Sequence, residues 1–230
     1  IIEFDCPEAE FAGRLLQFGH TPLPPYITRA SSDEAKLRQI YQTTYAKLAG
    51  SVAAPTAGLP VTPQLDQALR HQGITILEVT LHVGLGTFLP VQEEQIRHKR
   101  LHREYFELSP AVAATLNQAK AAGRQITAVG TTTTRVLESC WRDGQLQARH
   151  GTTELFIQPG DRYHCVDALI TNFHLPQSSL LMLLSAFVCQ PNTQAPFQDF
   201  GQTVAGVAYQ HAIAAGYRFF SFGDAMYIHD

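Results

Sequence analysis

The spacing of apolar positions divides the chain into alternating helical and extended segments. Ile1 to Phe4 is short, apolar and strand-like. Over Glu8 to Phe18 the apolar residues Phe11, Leu15, Leu16 and Phe18 recur at roughly helical spacing, and Gly19 stops the run. Thr21 to Arg29 (TPLPPYITR) is proline-rich and reads as an extended connector and a domain boundary. Asp33 to Tyr45 returns to helical character behind an acidic first turn. Pro63 to His71 carries proline in its first turn and Gly73 just beyond its end, the expected asymmetry of a helix.

Ile74 to His82 alternates and is rich in β-branched residues, which predicts a strand. Ser109 as N-cap, Pro110 at the first helical position and Gly123 at the close predict an alanine-rich helix between them. Arg124 to Val129 follows as a strand. It leads through Gly130 and a threonine-rich turn into a helix over Arg135 to Trp141. Glu154 to Ile157 and Ala168 to Thr171 are further short strands. Ser178 to Val188 is apolar on every side and predicts a buried helix. Val204 to Ala215 is another helix, and Tyr217 to Phe222 a last strand. This order of strands and helices predicts an α/β fold: a central, largely parallel sheet with flanking helices.

Composition narrows the classes. With 230 residues and 45% hydrophobic content the chain buries one substantial core, and 16% charged residues is ordinary for a globular protein. A formal charge of −3 and a pI near 6.4 exclude a binder that lives on global attraction to nucleic acid, while leaving room for a local basic face. Cys6, Cys140, Cys165 and Cys189 are widely spread and form no CxxC pair, so they read as small buried residues kept reduced, not as a zinc site. The apolar run Leu180 to Val188 falls far short of the ~20 residues of a membrane span, and the N-terminus carries no signal-peptide pattern. The chain begins at Ile1, not at methionine, which is expected of a fragment or a trimmed chain.

Several segments carry chemistry. GSVAAPTAG (Gly50 to Gly58) is packed with small residues, Thr56 and Gly58 among them, and lets backbone amides approach a ligand closely; it equally suits a tightly packed loop. It lacks the lysine of a Walker loop, which argues against a triphosphate. HVGLGTF (His82 to Phe88), with Gly84 and Gly86, follows a predicted strand, where ligand sites gather. Its GxG has no third glycine at the dinucleotide spacing, and Pro90 intervenes before any helix, which argues against a nicotinamide fingerprint. His98, Lys99, Arg100, His102 and Arg103 form the basic cluster. His98 and His102 share a face in either a strand or a helix, beside Glu104, and suit a phosphate, a metal or a solvated edge.

Thr131, Thr132, Thr133 and Thr134 open a helix ahead of Arg135, where hydroxyls and free amides suit an anionic or carboxylate group. Asp167, Asn172 and His174 lie close together in VDALITNFHLP, so that His174 suits either a general base or a hydrogen-bonded structural role. Arg218 and Asp224 sit in the aromatic run YRFFSFGDAM. The pair fits a nucleoside pocket in which carboxylate takes ribose hydroxyls; the aromatics equally fit a core.

Taken in order, PLPPYITR, GSVAAPTAGL, HVGLGTF, HKRLHRE, GRQITAVGTTTTRVLES, VDALITNFHLPQSSLLMLLSAF and YRFFSFGDAM resemble the S-adenosylmethionine:tRNA ribosyltransferase-isomerases of queuosine biosynthesis. The resemblance runs from about Ile1 to Ile228. It implies an enzyme that transfers and isomerises the ribosyl moiety of S-adenosylmethionine onto 7-aminomethyl-7-deazaguanine at the tRNA wobble position. The products are epoxyqueuosine-tRNA, adenine and methionine. It also implies a cytoplasmic protein, a monomer without a membrane segment, that needs no metal or redox cofactor and consumes S-adenosylmethionine as a substrate. Its fold joins an α/β domain to an inserted small β-barrel. On that pattern residues 1–20 are the tail of the barrel and residues 21–230 the α/β catalytic domain, with the N-terminal portion of the family's chain missing.

The implied chemistry removes a proton from carbon 5′ beside a sulfonium, expels adenine and lets the amine attack. His174, His82 and His102 are candidates for these proton transfers, because imidazole titrates near neutrality. Asp167 and Asp224 are placed to orient a histidine or grip hydroxyls. Thr131 to Thr134 with Arg135 would hold the methionine carboxylate; Asn172, Arg218, Gly84, Gly86, Thr56 and Gly58 complete the substrate-binding set. The chain departs from the family where Leu59 is followed by Pro60, Val61 and Thr62 in place of His-Phe-Thr, and where Gln177 and Cys189 replace an expected lysine and glycine. Two other readings compete: an inactive remnant that binds tRNA or nucleoside, and a metal-dependent hydrolase built on His82, His98, His102 and Asp167.

Overall fold

The computed structural model describes residues 3–23, 33–84, 86 and 89–229. In chain order its elements are α1 (Glu8–Phe18), α2 (Glu34–Ile40), a 3-10 turn (Thr56–Gly58), α3 (Pro63–His71), β1 (Thr80–His82), α4 (Glu93–His98), β2 (Arg100–Leu108) and α5 (Pro110–Ala121). There follow β3 (Thr127–Val129), α6 (Thr131–Cys140), β4 (Trp141–Arg142), β5 (Gln145–Leu146), β6 (Arg149–Leu155), β7 (Ala168–Asn172), α7 (Ser179–Val188), α8 (Val204–Ala214) and β8 (Ala225–Ile228).

The α/β class stands, but the expectation of a largely parallel central sheet is corrected. Among the described strands, β1, β2 and β6 form one antiparallel sheet in which Leu81 lies opposite Phe106 and Phe106 opposite Gly151. A second sheet has the order β3-β7-β8; β3 and β7 run parallel, with Ala128 opposite Leu169, and β8 returns antiparallel, with Ile170 opposite Tyr227. Parallel pairing needs a long crossover, and the stretch through α6 supplies it between β3 and β7; the other described pairs are antiparallel, even where helices lie between them in the chain. A β4-β5 hairpin completes the set.

The helices largely follow their sequence signals. Thr62 and Ser109 accept N–H bonds from Leu65 (3.2 Å) and Val112 (3.4 Å) and start α3 and α5, each with proline in the first turn. Ser178 caps α7 by accepting from Leu181. α6 starts four residues before the predicted helix. Gly130 takes φ +89° at the N-cap, and the hydroxyls of Thr133 and Thr134 donate back to the carbonyls of Val129 (2.7 Å) and Gly130 (3.2 Å), so the threonines are helical.

Strand predictions fared worse. Of Ile74 to His82 only Thr80–His82 pairs, and the predicted final strand Tyr217 to Phe222 is a turn, with Asp224 N–H donating to the Arg218 carbonyl at 2.8 Å. Its Phe219 packs into a ring cluster with Phe173 and Tyr209 (centroids 4.9 and 5.7 Å), which absorbs the aromatic signal as core packing. The pairing strand is β8, just beyond. Ile1, Ile2 and the proline-rich residues 24–29 lie outside the described residues. The described part of residues 1–20 holds a helix, α1, and no strand.

One core joins the two sheets, centred on Phe106, Leu108, Val136, Cys140, Leu169 and Leu184. α6 runs through it, buried from Thr134 to Cys140, and two of those residues carry charge. The Glu138 carboxylate accepts N–H bonds from His164 (2.9 Å), Cys165 (3.0 Å) and Val166 (3.1 Å), tying the segment before β7 to the helix. Cys140, Cys165 and Cys189 are buried and free, as expected of small core residues. Burial pushes the Cys140 thiol up to about 11 and that of Cys165 to about 12. No described helix is long and apolar enough to cross a membrane.

Truncating Glu138 leaves three buried amides without an acceptor. Glu138→Ala is therefore expected to lower the unfolding free energy by about 3 kcal/mol in urea titrations; a loss below about 1 kcal/mol would show that the three bonds do not hold this segment. Native protein treated with iodoacetamide at neutral pH is expected to be modified at half-buried Cys6 alone, and mass spectrometry finding label on Cys140 or Cys165 would contradict the burial described.

Candidate functional site

The carboxyl ends of the parallel pair β3 and β7 open into a cavity of about 200 Å³. Thr131 and Thr132 reach it from the start of α6, Asn172 and His174 from the end of β7, Thr56 from the 3-10 turn, and Phe220 and Ser221 from the turn before β8. Tyr41, Ala53, Pro55, Val83 and Thr132 are shared with an adjoining cleft of about 900 Å³, which His82, Gly50 and Thr133 also line.

A few bonds hold these walls together. The Thr56 hydroxyl donates to Asn172 Oδ1 at 2.9 Å, and Asn172 Nδ2 donates to the carbonyls of Gly223 (3.5 Å) and Asp224 (3.3 Å). One buried amide thus joins the small-residue loop, the end of β7 and the C-terminal turn. The loop itself lies along the end of β1: Val52 N–H donates to the Val83 carbonyl (3.0 Å) and Val83 N–H to the Ser51 hydroxyl (2.9 Å). Gly50 is needed there, since its φ is +141° and a β-carbon would stand 2.6 Å from His82 Nδ1. Gly58 is buried against the Tyr45 hydroxyl.

His174 is half-buried, with Nε2 at 2.9 Å from the Thr171 hydroxyl and its backbone N–H donating to the Tyr209 hydroxyl at 2.8 Å. Burial of the ring lowers its pKa to about 4, so it is neutral at pH 7 and a weak proton acceptor. His82, at the end of β1, tilts against the Tyr105 ring with centroids 5.6 Å apart.

Other candidates fall elsewhere. Arg135 lines neither cavity. Its guanidinium turns toward the antiparallel sheet, where Nη1 donates to Glu104, Nε donates to the Leu155 carbonyl at 3.1 Å, and Nη2 is buried without a partner among the described residues. Glu104 also accepts the Gly84 N–H at 3.3 Å, and Gly86 lies against the His102 ring. Gly84, Gly86, His102, Glu104 and Arg135 therefore form a separate cluster. Asp167 stands at the opposite end of β7 from Asn172, roughly 17 Å away at strand spacing. It pairs there with Lys120 (3.1 Å) and accepts the Ile126 N–H (2.9 Å), a structural duty.

Arg218 and Asp224 do not line the cavity either. Asp224 accepts the Arg218 N–H (2.8 Å) and its guanidinium (3.2 Å), and these bonds hold the carboxyl below its usual range. The pair closes the turn that presents Phe220 and Ser221. The basic cluster disperses along the surface: Lys99 meets Asp161 at 2.9 Å, and Arg103 and Arg100 face Glu154 at 3.5 and 4.0 Å. His98 ends α4 and His102 lies on β2, and Lys99 between them takes φ +52°, so the two do not share one element's face. Among the described residues no group of three or more His, Cys, Asp or Glu gathers as a metal site, which leaves the hydrolase reading without its ligand set. Thr171, Tyr41, Tyr209, Phe220 and Ser221 were missed by sequence reasoning. Thr171 carried a signal, three residues before His174, and Phe220 and Ser221 lay inside the YRFFSFGDAM run; Tyr41 and Tyr209 carried none.

The family model described as queuosine biosynthesis protein matches residues 1–228. The chain is 48% identical over 229 residues to the S-adenosylmethionine:tRNA ribosyltransferase-isomerase of Moorella thermoacetica, covering 99% of this chain and 62% of that protein. It is 49% identical to that of Oleidesulfovibrio alaskensis (96% and 55% covered) and 51% identical to that of Anaeromyxobacter dehalogenans (96% and 59%). The chain thus spans between 55% and 62% of the length of these curated relatives. The crystal structure of an S-adenosylmethionine tRNA ribosyltransferase from Thermotoga maritima superposes with a TM-score of 0.57 at 39% identity, covering 75% of this chain and 51% of the other.

The His174 environment has a pH signature. Its folded pKa, about 4, lies below the 6.5 of the free side chain, so between these values the unfolded chain binds the extra proton. Stability is then expected to fall as pH drops from 6.5 toward 4. His174→Gln should remove that part of the slope in urea titrations across the range; an unchanged slope would refute the assignment.

Proposed function

Because the chain belongs to the queuosine biosynthesis protein family, we propose that it carries the reaction centre of an S-adenosylmethionine:tRNA ribosyltransferase-isomerase. The substrates are S-adenosylmethionine and a tRNA bearing 7-aminomethyl-7-deazaguanine, and the products are epoxyqueuosine-tRNA, adenine and methionine. The observation that carries this reading is the convergence of Thr56, Thr131, Thr132, Asn172 and His174 on one cavity at the carboxyl ends of β3 and β7.

The start of α6 offers two threonine hydroxyls and the amides of its first turn, which suits the methionine carboxylate. Tyr41, Phe173 and Phe220 give the cavity aromatic walls for a nucleobase. Of the three histidines considered for proton removal, His82 is favoured. It lines the cleft continuous with the threonines, whereas His102 belongs to the cluster beneath Gly86, and His174 is too weak a base at neutral pH. The wobble base would enter unstacked, as a single-stranded loop presents it, and not through readout of a helix. S-adenosylmethionine is spent as a substrate, and the protein works in the cytoplasm.

Purified protein incubated with S-adenosylmethionine and tRNA carrying 7-aminomethyl-7-deazaguanine is expected to release adenine, measured by liquid chromatography, and to release none with unmodified tRNA. His82→Ala should lower kcat by at least about 100-fold. Adenine at the no-enzyme background would overturn the proposal in favour of a nucleoside- or tRNA-binding remnant; full turnover in His82→Ala would remove His82 as the base.

A further inference from the structure

The contact between Thr171 and His174 determines what the histidine can offer a ligand. Thr171 sits within β7 and is 1% exposed, and its hydroxyl makes one hydrogen bond among the described residues, at 2.9 Å to His174 Nε2. A buried hydroxyl must place its proton on an acceptor, and a neutral imidazole has one nitrogen that accepts and one that donates. Were Nε2 to carry the ring proton, the threonine proton would be orphaned in the core. The satisfied arrangement has Thr171 donating to Nε2, which leaves the proton on Nδ1.

The rest of the neighbourhood keeps that arrangement in place. The Tyr209 hydroxyl anchors the His174 backbone, and burial raises its own pKa, so it stays protonated. Burial also keeps the imidazole neutral through the physiological range. With Nε2 engaged, Nδ1 is the ring nitrogen left for the cavity that His174 lines beside Tyr41, Phe173 and Phe220.

We propose that Thr171 is a positioning residue that fixes His174 as the Nδ1–H tautomer, so that the imidazole presents a neutral hydrogen-bond donor to a ring nitrogen of a purine held in the cavity. The purine assignment rests on the function proposed above; the tautomer does not. A neutral donor steadies adenine as it departs without itself gaining or losing a proton.

The test is a long-range proton–nitrogen correlation spectrum of the whole chain labelled with nitrogen-15 histidine. The His174 signals are identified by their loss in His174→Gln. Wild type and Thr171→Ser are expected to show protonated Nδ1 and bare Nε2, while Thr171→Val, checked for folding by its melting temperature, should lose that preference. Protonated Nε2 in the wild type would overturn the tautomer, and if Thr171→Val fails to fold, the wild-type and serine spectra still decide. Adenine added to the wild type should shift the Nδ1 resonance and its proton. Thr171→Val should weaken adenine binding on the order of tenfold, with Thr171→Ser close to wild type. An unmoved Nδ1 at millimolar adenine would overturn the donor role. Failure of the ribosyl-transfer reading would appear in the turnover assay and leave the tautomer measurement intact.

Discussion

Two opposite charges buried on one helix organise this protein. Arg135 and Glu138 lie on α6, which passes between the two sheets, and each satisfies groups from elsewhere in the chain. Arg135 pairs with Glu104 of β2 and caps the Leu155 carbonyl of β6; Glu138 gathers three amides ahead of β7. Buried charges are tolerated only when their partners are in place, so the antiparallel sheet and the parallel pair are held in one relation to the helix. That relation puts the helix N-terminus, with Thr131 and Thr132, at the mouth of the cavity.

The cavity is correspondingly a product of joints and not of one motif. Asn172 is the joint on the sheet side, accepting from Thr56 and donating into the turn at Gly223 and Asp224. Glu104 is the joint below, holding Gly84 while pairing with Arg135. Small residues matter for approach: Gly50 lets the loop close over His82, and Gly58 makes room for Tyr45. Residues that carry charge in this neighbourhood mostly spend it on one another. The cavity is left with hydroxyls, an amide, a neutral imidazole and aromatic faces, a lining suited to an uncharged ring and a sugar.

Helices were legible wherever capping chemistry and periodicity agreed, as at Thr62-Pro63, Ser109-Pro110 and Ser178. Strands were less so, because a short strand is made by its partner. Ile74 to Val79 alternates like a strand but finds no strand partner among the described residues, and the aromatic run of Tyr217 to Phe222 serves ring packing instead. The site was legible in part. Thr56, Thr131, Thr132, Asn172 and His174 were named from local chemistry and do converge. Asp167 and Arg135, equally plausible in sequence, are drawn off by Lys120 and Glu104.

The ordered motifs, read by themselves, determined the family and the chemical character of each segment, because side-chain types and local spacing are carried by the chain directly. Which of those side chains meet was decided by the tertiary structure alone. Strand pairing sets the end of β7 that each polar residue occupies, leaving Asp167 and Asn172 at opposite ends. Burial sets protonation, leaving His174 neutral against Thr171, a residue whose proton needs an acceptor that only the folded chain supplies.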